Sequence, residues 1–136
     1  MLDADDAGLA ASGGGVALEE LLPLPGLEVE TTSEDARHTL TLAGALELNS
    51  VGVLEAALSR LWSQNVAAVT LDLRGVTFID SSGLWTITTL QKWCAREAIR
   101  FMIIPGPDPV QHVFELTGLS DVLPFARGYA RGGDGG

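Results

Sequence analysis

The residues of this chain with the clearest capacity for chemistry lie in the stretch Val76–Trp85, VTFIDSSGLW. The apolar run Ala67–Leu73 leads into it and predicts a strand, and a helical pattern follows it. The joint between strand and helix holds Asp80, Ser81, Ser82 and Gly83. Asp and Ser side chains at such a joint accept hydrogen bonds from the backbone N–H groups that have no intrahelical partner.

Two interpretations of this corner follow from its residue types. In the first, Asp80, Ser81 and Ser82 only cap the helix. In the second, Ser81 is a functional hydroxyl, because free N–H groups and the helix dipole favour an anion at a helix start. A phosphate on Ser81 would then suit the fold and change the surface charge, and Gly83 would let a partner approach the backbone closely.

The helix after the corner has two distinct faces. At 100° per residue, one face is expected to be buried and holds Leu84, Ile87, Leu90, Gln91 and Cys94. A second stripe starts beside Ser81 and holds Trp85, Thr89, Lys92 and Arg96. Trp and Arg are enriched at binding hot spots, so this stripe suits a partner-binding face. The alternative is that Trp85 packs under the N-terminal extension or under a neighbouring loop.

The elements that position this corner follow the order β-β-α-β-α-β-α-β, which implies parallel βαβ crossovers. The expected strands are 27–33, 37–43, 66–73, 100–104 and 122–125, and the expected helices are 51–63, 82–97 and one from Asp108. Alternation in the third strand indicates that helices cover mainly one face of the sheet. The sequence thus predicts an α/β fold with a mixed sheet of four to five strands.

Several details of that fold are also expected. The strand 100–104 is continuously apolar and is expected at the centre of the sheet. The segment Gly44–Leu48 is expected to be a loop, with Asn49 or Ser50 capping the first helix. Asp108 is expected to cap the third helix, with Pro109 at its first position, and Gly118 to end it in a left-handed conformation.

Composition limits the classes of partner. The 136 residues suit one domain, and the formal net charge of −10 argues against binding to nucleic acid or anionic membranes. Every apolar run is interrupted far short of a membrane span, so no membrane insertion is expected. A single cysteine, Cys94, fits a reduced, cytoplasmic setting. We expect a flexible acidic extension over 1–26, one domain over 27–127 and a glycine-rich tail over 128–136.

The sequence has few features of an enzyme. Its two histidines, His38 and His112, have no second ligand at metal spacing and are expected on the surface. The serine-hydrolase elbow, the phosphate loop and the dinucleotide fingerprint are absent from the sequence. Cys94 falls on the apolar side of its helix and is expected to be an inert buried thiol. We therefore predict no metal, no cofactor and no catalytic residue, and a hydrolase that uses Ser81 or Ser82 would lack a base.

Two blocks of the sequence resemble the STAS domain of bacterial anti-sigma factor antagonists. The first is FIDSSGLW, preceded by VTLDLRGV, and the second is VFELTGLSDVLPF. The resemblance covers roughly Leu27–Phe125 and implies a STAS-type fold and a regulatory protein that is not an enzyme. The sequence departs from the family at Glu47, where aspartate is usual, and at Trp85, where a small residue is usual.

The resemblance also implies a partner and a switch. The partner is an anti-sigma factor of the serine-kinase class, which phosphorylates the serine directly after the aspartate, here Ser81. The unphosphorylated protein would bind this anti-sigma factor and release a sigma factor. The residues expected to bind the partner are Asp80, Ser81, Ser82, Gly83, Trp85, Thr89, Lys92, Glu47 and Asn49. The alternative is a structural STAS subunit of a transporter or signalling assembly, whose serine is not phosphorylated.

Overall fold

Strands and helices alternate through residues 26–127, the part of the chain that the computed structural model describes. The expected extension before Gly26 and the expected tail over 128–136 lie outside these residues. The elements are β1 (Leu27–Glu34), β2 (Arg37–Leu46), α1 (Val51–Trp62), β3 (Ala68–Ile79), α2 (Ser81–Arg96), β4 (Arg100–Ile104) and α3 (Asp108–Leu116). A short 3₁₀ turn, Leu119–Asp121, follows α3.

The four strands form one sheet in the order β1-β2-β3-β4. Strands β1 and β2 form an antiparallel hairpin, and β2–β3 and β3–β4 are parallel pairs. Helices α1 and α2 connect the parallel neighbours as βαβ crossovers. The predicted mixed α/β sheet is therefore confirmed.

Two expectations about the far side of the sheet are wrong. Strand β4 ends the four-strand order and does not lie at its centre. The expected strand 122–125 is a single bridge between Ile103 and Phe125, in which Ile103 N donates to Pro124 O at 3.0 Å and Ala126 N donates to Ile103 O at 2.7 Å. The 3₁₀ turn takes up the preceding residues, and Pro124 has no N–H with which to extend a ladder.

One face of the sheet carries the hydrophobic core and the helices. Buried residues from all four strands and all three helices form a single cluster, which includes Leu27, Leu40, Leu71, Ile103, Leu54, Ile87 and Phe114. The opposite face holds threonines and charged residues in neighbouring register rows, among them Thr39, Thr70, Arg37 and Arg100. Within residues 26–127, no helix is long and apolar enough to cross a membrane.

Strand β3 continues six residues past its predicted end at Leu73. Two register shifts against β2 each place one extra residue on β3. The spacing of its inward residues therefore changes from two to three, in the series Val69, Leu71, Leu73, Val76 and Ile79. The first shift moves the inward position to the even-numbered Val76 and the second returns it to odd numbers. Ile79 therefore points into the core as Leu71 and Leu73 do, and Asp80 follows it directly. Strand β2 likewise extends to Leu46, into the segment that was expected to be a loop.

His38 is not the surface residue that the sequence suggested. It is only 2% exposed, and its Nε2 lies 3.0 Å from the carbonyl oxygen of Asn65. Since a carbonyl only accepts, Nε2 carries the hydrogen, and in the neutral ring Nδ1 accepts from the Ser33 hydroxyl at 2.7 Å. His38 thus joins the hairpin to the loop after α1 and is satisfied by structural hydrogen bonds.

The third helix differs from the expectation at its start and agrees with it at its end. It starts at Asp108 with Pro107 as its N-cap, one residue earlier than predicted, because the Pro107 carbonyl accepts from Val110 N and Gln111 N at 2.9 Å each. Its buried residues are Val110, Gln111 and Phe114, and Thr117 is exposed. Gly118 adopts the predicted left-handed conformation, with φ of 79°.

Asp72 is a buried carboxylate on the face of the sheet away from the helices. Burial raises the pKa of the Asp72 carboxyl, but hydrogen bonds from Arg74 and its charge outweigh this effect and hold the pKa below its ordinary value. The guanidinium contacts the carboxylate at 2.8 Å and 3.1 Å, and the Arg74 backbone N–H adds a bond at 3.0 Å. The paired charge therefore lets the sheet bury an acid in β3.

We expect Arg74→Met to lower the free energy of unfolding at pH 7 by about 1–3 kcal/mol, because it leaves a buried carboxylate without its main partner. In the wild type, the lowered pKa gives stability that is complete above the usual Asp value of about 3.9 and is lost as the pH falls through the folded value. In the variant, burial raises the pKa, so protonation relieves the defect and the deficit shrinks below about pH 4. Urea unfolding at pH 7 and at pH 3.5 measures this loss of stability, with Arg96→Met as the surface control. An equal deficit at pH 7 and pH 3.5 would contradict the assignment.

Candidate functional site

Ser81 is the first residue of α2 and is exposed. Strand β3 ends at the buried Ile79, so Asp80 alone connects strand to helix. Asp80 has extended backbone angles, φ −117° and ψ −171°, which are typical of an N-cap. The predicted corner therefore exists, but strand and helix meet with one intervening residue and without a loop.

The Asp80 carboxylate joins the start of α2 to the segment that follows β2. Its Oδ1 accepts from Gly83 N at 3.1 Å, which is the predicted helix cap. Its Oδ2 accepts from Leu48 N at 3.2 Å, a contact that spacing along the chain does not predict. Because both oxygens are engaged by amides, Asp80 holds two surface segments beside each other and is poorly placed to act as a base.

The segment between β2 and α1 is held by its own hydrogen bonds. The Ser50 hydroxyl donates to Ala45 O at 2.6 Å and accepts from Glu47 N at 3.0 Å, while Glu47 Oε1 accepts from Asn49 N at 3.1 Å. Ser50 occupies the N-cap position of α1 but its side chain does not cap the helix. The hydrogen bond between Leu48 N and Asp80 brings the neighbouring residues Glu47 and Asn49 close to Asp80. Glu47, Asn49 and Asp80, which were predicted to bind a partner, therefore lie on one surface.

The two serines of the corner differ in environment. Ser81 is exposed, and its hydroxyl has no hydrogen-bond partner among residues 26–127. Ser82 is half-buried, and its carbonyl accepts from the Thr86 hydroxyl at 2.9 Å. Of the two hydroxyls, that of Ser81 is therefore the accessible one.

Gly83 is buried and does not offer a surface to a partner, which corrects the sequence-based expectation. A Cβ at this position would lie 2.7 Å from Leu46 O and 2.8 Å from Ile79 Cγ1. Glycine is needed here because the first turn of α2 packs directly on the end of β2. Because Gly83 has no side chain, the backbone of β2 can pack against the first turn of α2. This packing fixes the position of Ser81.

An exposed stripe runs along α2 from the corner, as predicted. Trp85 is 66% exposed, and Thr89, Lys92 and Arg96 are also exposed. Among residues 26–127 no neighbouring loop covers Trp85, and the extension, which was the other candidate to cover it, lies outside these residues.

Two apolar residues beside the corner were missed by the sequence analysis. Leu48 is 67% exposed and Phe78 is 54% exposed. Leu48 lies beside the Asp80 carboxylate, and Phe78 pairs with Ala45 next to the end of β3. The sequence could have indicated Leu48, because it is a single leucine between Glu47 and Asn49 and belongs to no periodic apolar pattern. Phe78 was missed because the strand was predicted to end at Leu73, so the outward direction of residue 78 was not considered.

The remaining reactive side chains are far from the corner or are blocked. His38 and Leu46 are eight residues apart on β2, about 26 Å at the usual strand rise, so His38 cannot act on Ser81. His112 is exposed and pairs with Glu115 at 3.6 Å. Burial raises the pKa of the Cys94 thiol to about 11, which confirms the expectation of an inert thiol. No cluster of three His, Cys, Asp or Glu suited to a metal occurs within residues 26–127.

We expect Gly83→Ala to destabilise the fold by about 1–3 kcal/mol, because the new methyl group overlaps the backbone of β2 and the packing must shift. Gly52→Ala is the matched control, since nothing lies within 4 Å of a Cβ at that position of α1. Replacing a helical glycine in open space should stabilise the protein by about 0.5–1 kcal/mol. Thermal and urea unfolding of both variants measure the difference. Two substitutions of equal effect would show that α2 does not pack on Leu46.

We expect Asp80→Ala to cost about 0.5–2 kcal/mol through loss of the helix cap. Asp80→Ser should recover much of that stability, because serine also caps helices but its shorter side chain does not reach Leu48 N. Both variants should speed hydrogen exchange of the Leu48 amide, which NMR can follow at one residue. If that amide exchanges at the wild-type rate in both variants, the bridge from Asp80 to Leu48 does not hold the segment.

Comparison with known proteins agrees with this architecture. The family model described as "Mlab, STAS domain" matches residues 29–124. The anti-sigma-B factor antagonist of Staphylococcus aureus (strain NCTC 8325 / PS 47) is 26% identical over 102 residues, which cover 75% of this chain and 94% of that protein. The protein of the same name from Staphylococcus epidermidis is 24% identical with the same coverage.

Solved structures show the same fold. An anti-sigma factor antagonist from Mycobacterium paratuberculosis superposes with a TM-score of 0.63 at 20% identity, over 78% of this chain and 91% of that one. The anti-sigma factor antagonist SpoIIAA in its unphosphorylated form gives 0.61 at 20% identity, over 75% and 89%. Bacillus SpoIIAA in its phosphorylated form gives 0.56 at 19% identity, over 75% and 92%. The family model, the sheet order and the strand–helix corner agree, and the chain belongs to the STAS domain family.

Proposed function

We propose that this protein is an anti-sigma factor antagonist that binds an anti-sigma factor of the serine-kinase class and is switched off by phosphorylation of Ser81. Binding would occupy the anti-sigma factor and so release a sigma factor. The observation that carries the proposal is the exposed Ser81 hydroxyl at the first position of α2. The names of the relatives support it, as does the phosphorylated form of one structural neighbour.

The corner suits a kinase substrate better than a catalytic centre. The Ser81 hydroxyl is accessible, and within the described residues 26–127 it has no hydrogen bond to a base, since both oxygens of Asp80 accept from amides. In the proposed reaction Ser81 Oγ forms a bond to the γ-phosphorus of ATP as the bond to ADP breaks. The hydroxyl proton passes to a base of the partner kinase, so this chain supplies only the acceptor. ATP as the co-substrate also favours the cytoplasm as the site of action.

The unmodified corner offers the kind of surface on which binding energy concentrates. Leu48, Phe78 and Trp85 are exposed apolar side chains on the three segments that meet at Ser81. Aromatic residues at the centre of an interface, shielded from water by their neighbours, commonly carry most of its affinity. In this proposal Glu47, Asn49, Asp80, Ser82, Thr89 and Lys92 surround these contacts and set the orientation of the partner.

Phosphorylation would act on that surface through local electrostatics. A phosphoserine carries about −1.5 to −2 charges at pH 7, here beside the carboxylate of Asp80. The start of α2 accommodates the charge in the free protein, because the helix dipole favours anions there. In a tight apolar interface the same charge must lose its water, and this cost is on the order of several kcal/mol, or a hundredfold or more in affinity. The fold does not need to change for the switch to work.

We expect Ser81→Ala to bind the anti-sigma factor about as tightly as the unphosphorylated wild type and to remain bound in the presence of ATP. Ser81→Asp should weaken binding at least tenfold. Calorimetry with the purified kinase measures both affinities, and mass spectrometry after incubation with ATP locates the phosphate. Ser59→Asp, which adds the same charge on the exposed surface of α1 outside the proposed contacts, is the matched control and should bind like the wild type. Ser82 is half-buried and should be a poor acceptor.

Equal affinity of Ser81→Ala and Ser81→Asp, together with a phosphate elsewhere or none, would contradict the proposed switch. The other expected role, a structural STAS subunit of a transporter or signalling assembly, requires the wild type, Ser81→Ala and Ser81→Asp to assemble equally well. Measuring all three proteins against one partner therefore separates the two roles.

A further inference from the structure

A groove between α1 and α2 adjoins the surface of the proposed switch and shares Trp85 and Thr89 with it. Its volume is about 150 Å³, and its lining is mostly apolar: Glu55, Leu58, Trp62, Trp85, Thr86, Thr89, Leu90 and Trp93. Trp62 and Trp93 stack across it with ring centroids 3.9 Å apart and an interplanar angle of 29°. Trp85, two turns away on α2, is 66% exposed. Eight residues of helix separate Trp85 from Trp93, so the groove is about 12 Å long.

The groove and its rim define the chemistry of an occupant. An apolar helix face fits between α1 and α2, where it would cover the exposed ring of Trp85. On the outer side of the groove, Lys92 and Arg96 continue the exposed stripe of α2. Negative charge would be favourable on this α2 side, whereas Glu55 lines the groove from α1, so the segment that fits is amphipathic with its acid toward α2.

We propose that residues 16–22 of this chain, VALEELL, bind in this groove as a short acidic helix. Leu18, Leu21 and Leu22 have the i, i+3, i+4 spacing that places them on one helix face. Glu19 follows at the edge of that face, on the side that can meet a cation of α2. Pro23 directly after the segment is a residue that does not continue a helix.

The position of Gly26 brings this segment within reach. The Gly26 carbonyl accepts a hydrogen bond from Ala45 N, and the next residue, Leu46, packs its carbonyl against Gly83 in the first turn of α2. The chain therefore enters β1 at the end of the sheet where α2 begins. The four residues 23–26 span at most about 13 Å, and a seven-residue helix is about 10 Å long, close to the length of the groove.

The tether makes even a weak contact effective. A segment joined by a short linker experiences an effective concentration in the millimolar range. A contact with a dissociation constant near 1 mM, which is too weak to detect between separate molecules at micromolar concentration, would then be substantially populated. Because Trp85 lies one helical turn from Ser81 and also belongs to the proposed partner surface, the docked segment would compete with the partner for this side chain, and this consequence rests on the proposed function.

The first test is the accessibility of Trp85 in the full chain. We expect Leu18→Ser/Leu21→Ser to raise the acrylamide quenching of Trp85 fluorescence about twofold, measured as the difference from the same protein carrying Trp85→Phe. Leu2→Ser/Leu9→Ser, which makes the same chemical change outside the segment, is the control and should leave quenching unchanged. Equal quenching in the wild type and both double variants would overturn the proposal.

The second test does not depend on fluorescence. Leu21→Cys combined with Thr89→Cys should form a disulfide between the introduced thiols at least tenfold faster than Leu21→Cys combined with Ala95→Cys. Ala95 is exposed on the same helix but does not line the groove, and the native Cys94 is buried and inert. Equal rates would overturn the proposal. So would a groove that is open in the free protein and becomes protected only when a separate binding protein is added, since that result would assign the groove to the partner.

Discussion

The close packing of the first turn of α2 on the end of β2 is the constraint on which the rest of the corner depends. At Gly83 a Cβ would lie 2.7 Å from the carbonyl oxygen of Leu46, a distance that only glycine avoids. This packing leaves room for a single residue between strand and helix, so Asp80 must serve as both connector and cap. Ser81 then has one available position, at the surface of the first turn.

The Asp80 carboxylate turns this packing into a composite surface. By accepting from amides of both α2 and the segment after β2, it holds together two parts of the chain that are 32 residues apart at their contact. Phe78 adds an exposed ring from the third segment, β3. In the proposed switch, the negative charge on Ser81 would therefore act electrostatically on all three segments, and none of them would need to move.

The site depends in turn on the irregularity of β3. A regular strand would place Gly75 and Thr77 inward and Val76 outward. Two extra residues against β2 turn Val76 inward and return Ile79 to the phase of Leu71 and Leu73, so β3 stays paired with β2 as far as the corner. Phe78 is exposed on the same strand, three residues before Ser81. Bulges commonly re-aim side chains in this way, and here they bury Val76 in place of Gly75 and Thr77.

Much of the site was predictable, because local rules govern it. The Asp–Ser helix start, the exposed stripe Trp85–Thr89–Lys92 and the buried Cys94 follow from capping preferences and from the 100° period, which act within a few residues. Strand pairing beyond the hairpin was less predictable. The sequence placed 100–104 at the centre of the sheet on its apolar character, but the neighbours of a strand depend on contacts between distant parts of the chain.

The sequence by itself therefore determined the order of the elements as far as α3, the buried face of α2 and the serine at the start of α2, since each depends on short-range periodicity and backbone hydrogen-bond needs. The tertiary structure alone decided that Gly83 is packed against Leu46, that His38 is buried between Ser33 and Asn65, and that Leu48 is held beside Asp80 with its side chain exposed. These features join residues far apart in the chain, and their distances are fixed only when the sheet has formed and the helix has packed on it.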